Sequence, residues 1–180
     1  VSKQYLESSL LMPWMVLAAT IASASQFLSI KIMGDLNTKK MILITGATGH
    51  LGKAVVNQLL TKTAASNIAI LARDLNKALE YKTKGIEVRI GDFDNPDSLN
   101  IAMKGIETVL LVSGSDPVNR LQQHKNVIDA AVKNGVNRIA YTSVTMENLN
   151  TSANLFLMQS HFQTEDYIKE SGLNYTFFRN

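Results

Sequence analysis

The sequence MILITGATGHLGKAVV, residues 41–56, decides the fold because it places three glycines between an apolar run and a stretch with helical periodicity. Residues 41–45 are uncharged and rich in branched side chains, which is typical of a strand covered on both faces of a parallel sheet. Gly46 can make a tight turn, Gly49 lets a ligand approach the backbone, and Gly52 lets the helix pack closely. The stretch therefore predicts a strand, a turn and a helix in that order.

The helix after the turn is predicted to begin near Gly49 or His50. Its apolar side chains recur at helical spacing, at Leu51, Val55, Val56, Leu59 and Leu60. A helix N-terminus carries unpaired N–H groups and a partial positive charge, which favour a phosphate. We therefore expect a dinucleotide phosphate to bind the residues of this turn, which are Gly46, Ala47, Thr48, Gly49, His50, Leu51 and Gly52. The alternative is a turn that uses glycine for its conformation alone, since the spacing is G-x-x-G-x-x-G and not the commoner G-x-G-x-x-G.

The composition excludes several kinds of site. The 180 residues carry a net charge of +3 with no basic run, so we expect no nucleic-acid partner. The absence of cysteine excludes disulfides, zinc thiolates and thiol nucleophiles. The histidines at positions 50, 124 and 161 lack the spacing of metal ligands, and we expect no metal site.

The first forty residues differ from the rest of the chain. Residues 8–30 carry no charge and are long enough to cross a bilayer, although Pro13 and many small polar residues dilute the run. Three interpretations stay open, namely an extension unrelated to the fold, a membrane anchor and a secretory signal. We predict that residues 1–40 are a leader and linker outside the fold, and that residues 41–180 form the domain. The expected location is cytoplasmic, with a membrane location only if the leader is a real anchor.

Further strand and helix patterns alternate after residue 56. Strands are predicted at residues 67–72, 86–90, 107–115, 137–144 and 174–179, with helices at about 74–84, 95–104, 118–134 and 155–171. The helix at 118–134 is expected to bury Leu121, Val127, Ile128, Ala131 and Val132. Strict alternation with short connections predicts an α/β fold, a doubly wound parallel sheet with strand order 3-2-1-4-5-6. A ligand would then lie across the strand ends, where the order reverses between strands 1 and 4.

The residues after strands 2 and 3 bear on the choice of nucleotide. Sites for NAD usually carry an acidic residue at the end of strand 2, whereas an Arg there accommodates the 2′-phosphate of NADP. Here Arg73 comes first and Lys77 follows one helical turn later, so we predict NADP, with NAD as the alternative if Asp74 repels the phosphate. Asp92 and Phe93 could flank the adenine, or could serve only loop formation and packing.

Candidate catalytic residues are few. No tyrosine is followed by a lysine four positions later, which would place both on one helix face beside a nicotinamide. His161 and Glu165 are four apart on the last helix and could orient an imidazole near a ribose or a carbonyl, or could be an ordinary surface pair. Ser143 follows strand 5, where a ligand should lie, but one hydroxyl without a base is no nucleophile.

Several segments together resemble the NmrA-like atypical short-chain dehydrogenases, and most of all the NAD(P)H:quinone oxidoreductases of type 2. These segments are MILITGATGHLGKAVV, AILARDLNKA, QQHKNVIDAA, IAYTSV and HFQTEDYIKESGLNYTFFRN. The resemblance covers residues 41–180. It implies a Rossmann fold that binds NADPH, and hydride transfer to a quinone or other carbonyl acceptor without a tyrosine acid. Regulators of the NmrA-like group bind the nucleotide as sensors without catalysis, which is the alternative function.

The resemblance also implies roles for particular residues. Gly46 to Gly52 would bind the cofactor phosphates, Arg73 the 2′-phosphate, and Ser113, Gly114 and Ser115 would pass near the cofactor. His161 would take the place that a lysine often holds beside the nicotinamide ribose. Members of this group continue beyond the RN at residues 179–180 into a substrate-binding part, so we expect the chain to be C-terminally truncated and the substrate site to lie beyond Asn180.

Overall fold

The computed structural model describes residues 41–145 and 155–180, with side chains from residue 158 in the second range. The predicted leader at residues 1–40 and nearly all of the predicted loop at 145–154 lie outside the described residues. Within the two described ranges, no helix is both long enough and apolar enough to cross a membrane.

Six parallel strands of residues 41–145 and 155–180 form one sheet. They are β1 (Met41–Ile44), β2 (Ile68–Ala72), β3 (Glu87–Ile90), β4 (Ile106–Leu111), β5 (Arg138–Ser143) and β6 (Asn174–Arg179). The spatial order is β3-β2-β1-β4-β5-β6, and every neighbouring pair runs parallel. The predicted doubly wound sheet and its strand order are confirmed.

In the described part of the chain, five α-helices connect these strands. They are α1 (His50–Leu60), α2 (Leu79–Thr83), α3 (Pro96–Ala102), α4 (Arg120–Lys133) and α5 (Leu155–Glu170). Short 3₁₀ turns at Ala65–Asn67 and Asn76–Ala78 precede β2 and α2. The predicted N-terminus of α3 is confirmed, since the Asn95 side chain accepts a hydrogen bond from the Ser98 N–H and Pro96 occupies the first turn.

The core lies on both faces of the sheet, which is why β1 is apolar along its whole length. Leu43 points to the face that α3, α4 and α5 cover, where it joins a cluster with Val109 and Ile139. Ile42 and Ile44 point to the opposite face and pack in a second cluster that includes side chains of α1 and α2. Side chains of a strand alternate between faces, so two buried faces require a continuous apolar run.

Two predicted elements are shorter than expected. The fourth strand ends at Leu111 and not at residue 115, because the next backbone N–H groups donate to side chains of other elements. The predicted helix at residues 74–84 is reduced to a 3₁₀ turn and α2. Asp74 does not cap a continuous helix there; its carboxylate accepts the Asn76 N–H in a local turn.

Candidate functional site

A cavity of about 460 Å³ lies at the carboxyl edge of the sheet, at the β1/β4 position where the strand order reverses. Its size falls within the range of small-molecule and cofactor pockets. The lining residues come mainly from the loops after β1, β2, β3 and β4, and they are Gly46, Thr48, Gly49, Leu71, Ala72, Arg73, Gly91, Asp92, Phe93, Asp94, Val112, Ser113, Gly114, Ser115, Asp116 and Gln123. This is the location that the strand pattern predicts for a ligand.

The glycines of the turn after β1 have three different structural roles. Gly46 has φ +61°, a conformation that side chains disfavour. Gly52 lies against the turn itself, since a Cβ atom there would be 2.2 Å from the Gly46 carbonyl oxygen. At Gly49, φ is −87° and a Cβ atom would approach one atom closely, that same oxygen at 3.3 Å, which is a tight contact. The turn therefore excludes a side chain most strictly at Gly46 and Gly52, whereas a side chain at Gly49 requires the turn to shift slightly.

The N-terminus of α1 points its unpaired N–H groups toward this turn. Gly49 is the N-cap residue, and no side chain caps the helix. The first turn of α1 carries no acidic residue that would offset the positive end of the helix dipole. Because Gly49 lines the cavity, the space beside it can admit an anion such as a pyrophosphate. The geometry of the turn fits a dinucleotide.

The loop after β2 brings Arg73 to the cavity. Its exposed side chain lines the cavity, while the Asp74 carboxylate is engaged by the Asn76 N–H at 2.8 Å. A guanidinium at the end of β2 suits a 2′-phosphate. Lys77 is exposed on the 3₁₀ turn and does not line the cavity.

The loop after β3 contributes the predicted adenine-side residues. Asp92 and Phe93 both line the cavity. The loop is held by α4, because the Asn126 side chain donates to the Phe93 carbonyl oxygen at 2.8 Å. Gln123 of α4 donates to both oxygens of the Asp94 carboxylate, at 3.0 and 3.1 Å. Although acidic residues gather here, no group of three or more His, Asp or Glu in the described ranges could hold a metal ion.

Three consecutive backbone N–H groups of the loop after β4 point into the interior of the protein. The donor and acceptor pairs, at 2.9 to 3.0 Å, are Val112 N–H to Thr45 Oγ1, Ser113 N–H to Thr142 Oγ1, and Gly114 N–H to His124 Nε2. The three acceptors are buried and belong to β5, α4 and the residue that follows β1. These N–H groups are thus unavailable to a ligand.

His124 is held in one tautomer by its neighbours. Its Nε2 accepts the Gly114 N–H, so the ring proton is on Nδ1, which lies 3.0 Å from Thr164 Oγ1 of α5. Thr164 in turn donates to the Ser160 carbonyl oxygen at 2.7 Å. Burial lowers the pKa of His124 to about 3, with His161 and Arg120 adding to the effect. The imidazole is therefore neutral at physiological pH.

A second side chain of α4 holds the same peptide segment. The buried Arg120 donates from Nε to the Gly114 carbonyl oxygen at 2.7 Å and from its Nη1 to Ser160 Oγ at 3.2 Å. Together with His124 it connects the cavity wall at Gly114 to helix α5. The sequence pattern missed both residues, because it assigned the buried face of α4 to apolar side chains only.

The buried face of α4 differs in part from the prediction. Val127, Ile128 and Ala131 are buried as expected, and Leu121 is partly buried, but Val132 is 44% exposed. The first turn instead buries Arg120, Gln123 and His124. The polar run RLQQH at the start of the helix, directly after a loop at a strand end, is the signal that could have identified them.

His161 has a different partner from the one that the helical spacing suggests. Its Nδ1 lies 2.8 Å from the Tyr141 hydroxyl, whereas the Glu165 carboxylate pairs with Arg179, at 2.9 Å from its Nε. No hydrogen bond joins His161 to Glu165 among the described residues, and because Glu165 is buried the two are not an ordinary surface pair. Burial and the charge of Arg120 lower the pKa of His161, while Glu165 opposes them.

Glu165 and Ser143 lie close together behind the end of β5. Burial alone would raise the pKa of Glu165, but hydrogen bonds from Arg179 and the influence of the Ser143 hydroxyl hold it below its usual range. Ser143 Oγ is itself buried and reaches hydrogen-bonding geometry with no atom of the described residues. Neither residue lines the cavity.

The predicted site residues fall into two groups by position. Those that line the cavity are Gly46, Thr48, Gly49, Arg73, Asp92, Phe93, Ser113, Gly114 and Ser115. Those that do not line it are Ala47, His50, Leu51, Gly52, Lys77, Ser143 and His161. Contact of any of these residues with a cofactor stays a prediction.

Comparison with known proteins supports a nucleotide-binding site. Residues 46–180 match the NAD(P)H-binding family. The chain is 42% identical over 140 residues to quinone oxidoreductase 2 of Escherichia coli, an alignment that covers 78% of this chain and 48% of that protein. It is 32% identical over 141 residues to an NmrA-like family domain-containing oxidoreductase of Aspergillus flavus, covering 76% and 46%. The chain thus spans about half the length of these relatives.

Solved structures agree with these matches. The NADPH complex of the NADPH-dependent quinone oxidoreductase of Escherichia coli has a TM-score of 0.72 at 42% identity, with 78% of this chain and 48% of that chain covered. The triphenylmethane reductase of Citrobacter sp. complexed with NADP(H) has a TM-score of 0.72 at 37% identity, with 78% and 49% covered. The resemblance to NmrA-like oxidoreductases is confirmed, and the chain belongs to the NAD(P)H-binding family of Rossmann-fold domains.

Proposed function

We propose that the protein is an NADPH-dependent oxidoreductase that reduces a quinone. The observation that carries this proposal is the cavity at the β1/β4 edge. Residues of the glycine turn and Arg73 both line this cavity. Its support from relatives is the 42% identity to a quinone oxidoreductase. NADPH, when bound, supplies a hydride, and with one further proton the quinone becomes a hydroquinone.

Different residues of the cavity would bind different parts of the cofactor. The N–H groups at the start of α1 and the space beside Gly49 would hold the pyrophosphate. Arg73 would bind the 2′-phosphate, and Asp92 and Phe93 would flank the adenine. Ser113 to Ser115 would line the path of the cofactor opposite the glycine turn.

His161 is the proposed residue beside the nicotinamide ribose. Burial raises the pKa of the Tyr141 hydroxyl, so this phenol keeps its proton and can donate it to His161 Nδ1 at 2.8 Å. The neutral ring then carries its own proton on Nε2, which makes it a hydrogen-bond donor toward a ribose or a carbonyl oxygen. Tyr141 thereby orients His161, which is the task that the sequence pattern assigned to Glu165.

The proposal is tested by following NADPH oxidation with a soluble quinone such as menadione. We expect oxidation that requires the quinone, and a large loss of rate in His161→Ala with NADPH affinity nearly unchanged. NADPH binding without any quinone-dependent oxidation would instead indicate the non-catalytic sensor. No observation on the described residues favours that regulatory alternative.

The cytoplasmic location stays a prediction.

The preference for NADPH is tested at Arg73. Arg73→Ala removes a charge-assisted contact, so NADPH binding should weaken by roughly tenfold or more while NADH binding stays unchanged. Lys77→Ala is the matched control, since Lys77 is an exposed cation close by that does not line the cavity. Equal affinities for NADPH and NADH in the unaltered protein would overturn the assignment of NADP.

A further inference from the structure

Tyr81 is a buried polar side chain of α2 that makes one contact with the glycine turn. Its ring lies among the core side chains of α1, β1 and β2, with no exposed surface. Its hydroxyl donates to the carbonyl oxygen of Ala47 at 2.5 Å. Burial raises the pKa of this hydroxyl, with Glu80 acting in the same direction, so it stays a donor across the physiological range.

The Ala47 carbonyl belongs to the peptide whose N–H is that of Thr48. A trans peptide is planar, and its C=O and N–H point in opposite directions. No cis peptide occurs among the described residues. With the carbonyl directed at Tyr81 in the core, the Thr48 N–H is directed away from the core. Thr48 is exposed and lines the cavity, whereas Ala47 is fully buried.

Among the described residues, the Thr48 N–H makes no hydrogen bond. The N–H of the next residue, Gly49, donates to the Gly46 carbonyl oxygen at 3.0 Å, and the N–H of Thr45, at the start of the turn, donates to the Leu110 carbonyl oxygen at 3.0 Å. The turn thus holds one backbone donor at the cavity whose direction depends on a side chain 34 positions away in the sequence.

We propose that Tyr81 is a positioning residue for nucleotide binding, which holds the peptide between Ala47 and Thr48 so that its N–H meets the pyrophosphate. This inference rests on the proposed binding of NADPH in the cavity. Tyr81 does not touch the cofactor; it acts through Ala47. Without the hydroxyl, the peptide is free to rotate, and the donor at Thr48 loses its fixed direction before the ligand arrives.

The same two elements offer a matched control contact. Lys53 of α1 and Glu80 of α2 form an ion pair at 2.9 Å, with both side chains nearly half exposed. Exposed pairs of this kind contribute little to stability because water and salt screen them. Glu80→Gln therefore removes the charge attraction between the same helices without touching the turn.

The experiment compares Tyr81→Phe, Glu80→Gln and the unaltered protein in two titrations. One ligand is NADPH, and the other is 2′-AMP, which carries adenine and the 2′-phosphate but no pyrophosphate. Tyr81→Phe should weaken NADPH binding by roughly three- to tenfold, the effect of one misdirected hydrogen bond to a charged group. Its affinity for 2′-AMP should stay unchanged, and Glu80→Gln should bind both ligands as the unaltered protein does.

Other outcomes contradict the inference. Equal NADPH affinity in Tyr81→Phe and the unaltered protein would show that the hydroxyl does not matter to the ligand. A parallel loss of both ligands would show that Tyr81 only supports the fold. If the unaltered protein failed to bind NADPH, the proposed function itself would be wrong, which is a distinguishable result.

A measurement on the unaltered protein avoids any dependence on how the variant folds. The amide signal of Thr48 in a ¹⁵N-labelled sample should shift, and its hydrogen exchange should slow, when NADPH binds. 2′-AMP should leave both unchanged. An unperturbed Thr48 amide at saturating NADPH would overturn the proposal.

Discussion

The turn after β1 and the loop after β4 lie side by side at the cavity and differ in how their backbones are held. In the turn, Gly46 and Gly49 leave the backbone without side chains beside the cavity. In the loop at residues 112–114, three backbone N–H groups point into the protein and bind Thr45, Thr142 and His124. The turn therefore exposes its backbone at the cavity, whereas the backbone N–H groups of the loop are engaged by hydrogen bonds to other parts of the protein.

The difference shows that the two walls depend on different parts of the sequence. The conformation of the turn is determined mainly within the turn, whereas that of the loop is determined by residues outside it. The turn depends mainly on its own residues, since Gly52 must be small because Gly46 lies against it. The loop depends on acceptors outside it: Thr45 and Thr142 lie 67 and 29 positions away from their donors, and His124 lies 10 positions away on the following helix. The walls also touch, because a Cβ atom at Gly46 would lie 3.1 Å from Val112 Cβ. Substitutions in each wall can therefore test whether the encoding is local or remote.

The largest effect is expected for Gly52→Ala, which breaks the locally encoded wall. The added methyl group would lie 2.2 Å from the Gly46 carbonyl oxygen, and backbone atoms of the turn cannot move aside cheaply. We expect a loss of about 3 kcal/mol or more in the free energy of unfolding, together with loss of NADPH binding. Denaturant unfolding measures the first and titration the second. A stable variant with native binding would mean that the turn can rearrange.

Gly49→Val separates ligand contact from turn formation in the same wall. With φ at −87° and a single tight contact, 3.3 Å from a Cβ atom to the Gly46 carbonyl oxygen, the fold should survive with a modest fall in the melting temperature. The branched side chain would occupy the space proposed for the pyrophosphate, and NADPH binding should weaken by more than about tenfold. Native-like binding would show that Gly49 does not face the phosphate and would remove the basis of the cofactor assignment.

His124 tests the remotely encoded wall with two variants of similar polarity. His124→Asn can keep the donor to Thr164 but lacks an acceptor for the Gly114 N–H, whereas His124→Gln can keep that acceptor and loses the donor. An unsatisfied buried N–H costs about 1–3 kcal/mol, so the Asn variant should be less stable and bind NADPH more weakly than the Gln variant. Equal NADPH affinity in the two variants would mean that the Gly114 contact does not shape the wall.

The smallest expected effect is a dependence of stability on pH that this wall introduces. His124 has a pKa of about 3 in the folded protein against 6.5 for an ordinary histidine, so between these values the unfolded state binds the extra proton. Stability should therefore fall as the pH falls below 6.5. From about pH 7 to about pH 5.5 the loss attributable to His124 is about 1 kcal/mol.

The variant His124→Gln isolates this contribution. The lowered pKa of His161 acts with the same sign, but it is present in both proteins and cancels in the comparison. Denaturant unfolding at the two pH values measures the difference. An identical pH dependence in the variant and the unaltered protein would show that His124 is not buried as a neutral group.

Prediction from sequence succeeded for features that depend on the order of the elements or on neighbouring residues. The strand order follows from alternation and right-handed crossovers, and the start of α3 follows from Asn95 and Pro96. It failed where a partner comes from another element. The spacing places His161 and Glu165 on one helix face, but it does not reveal their hydrogen-bond partners, which are Tyr141 of β5 and Arg179 of β6.

The sequence by itself determined the Rossmann topology, the glycine turn and the position of Arg73 at a strand end, because these depend on periodicity and on the conformational freedom of single residues. Only the tertiary structure decided how the peptides around the cavity are oriented. Tyr81 reaches Ala47 and His124 reaches Gly114 through packing of helices onto the sheet. Such contacts join residues of different elements, 34 and 10 positions apart in the chain, and hydrogen-bond direction becomes defined only when both elements are in place.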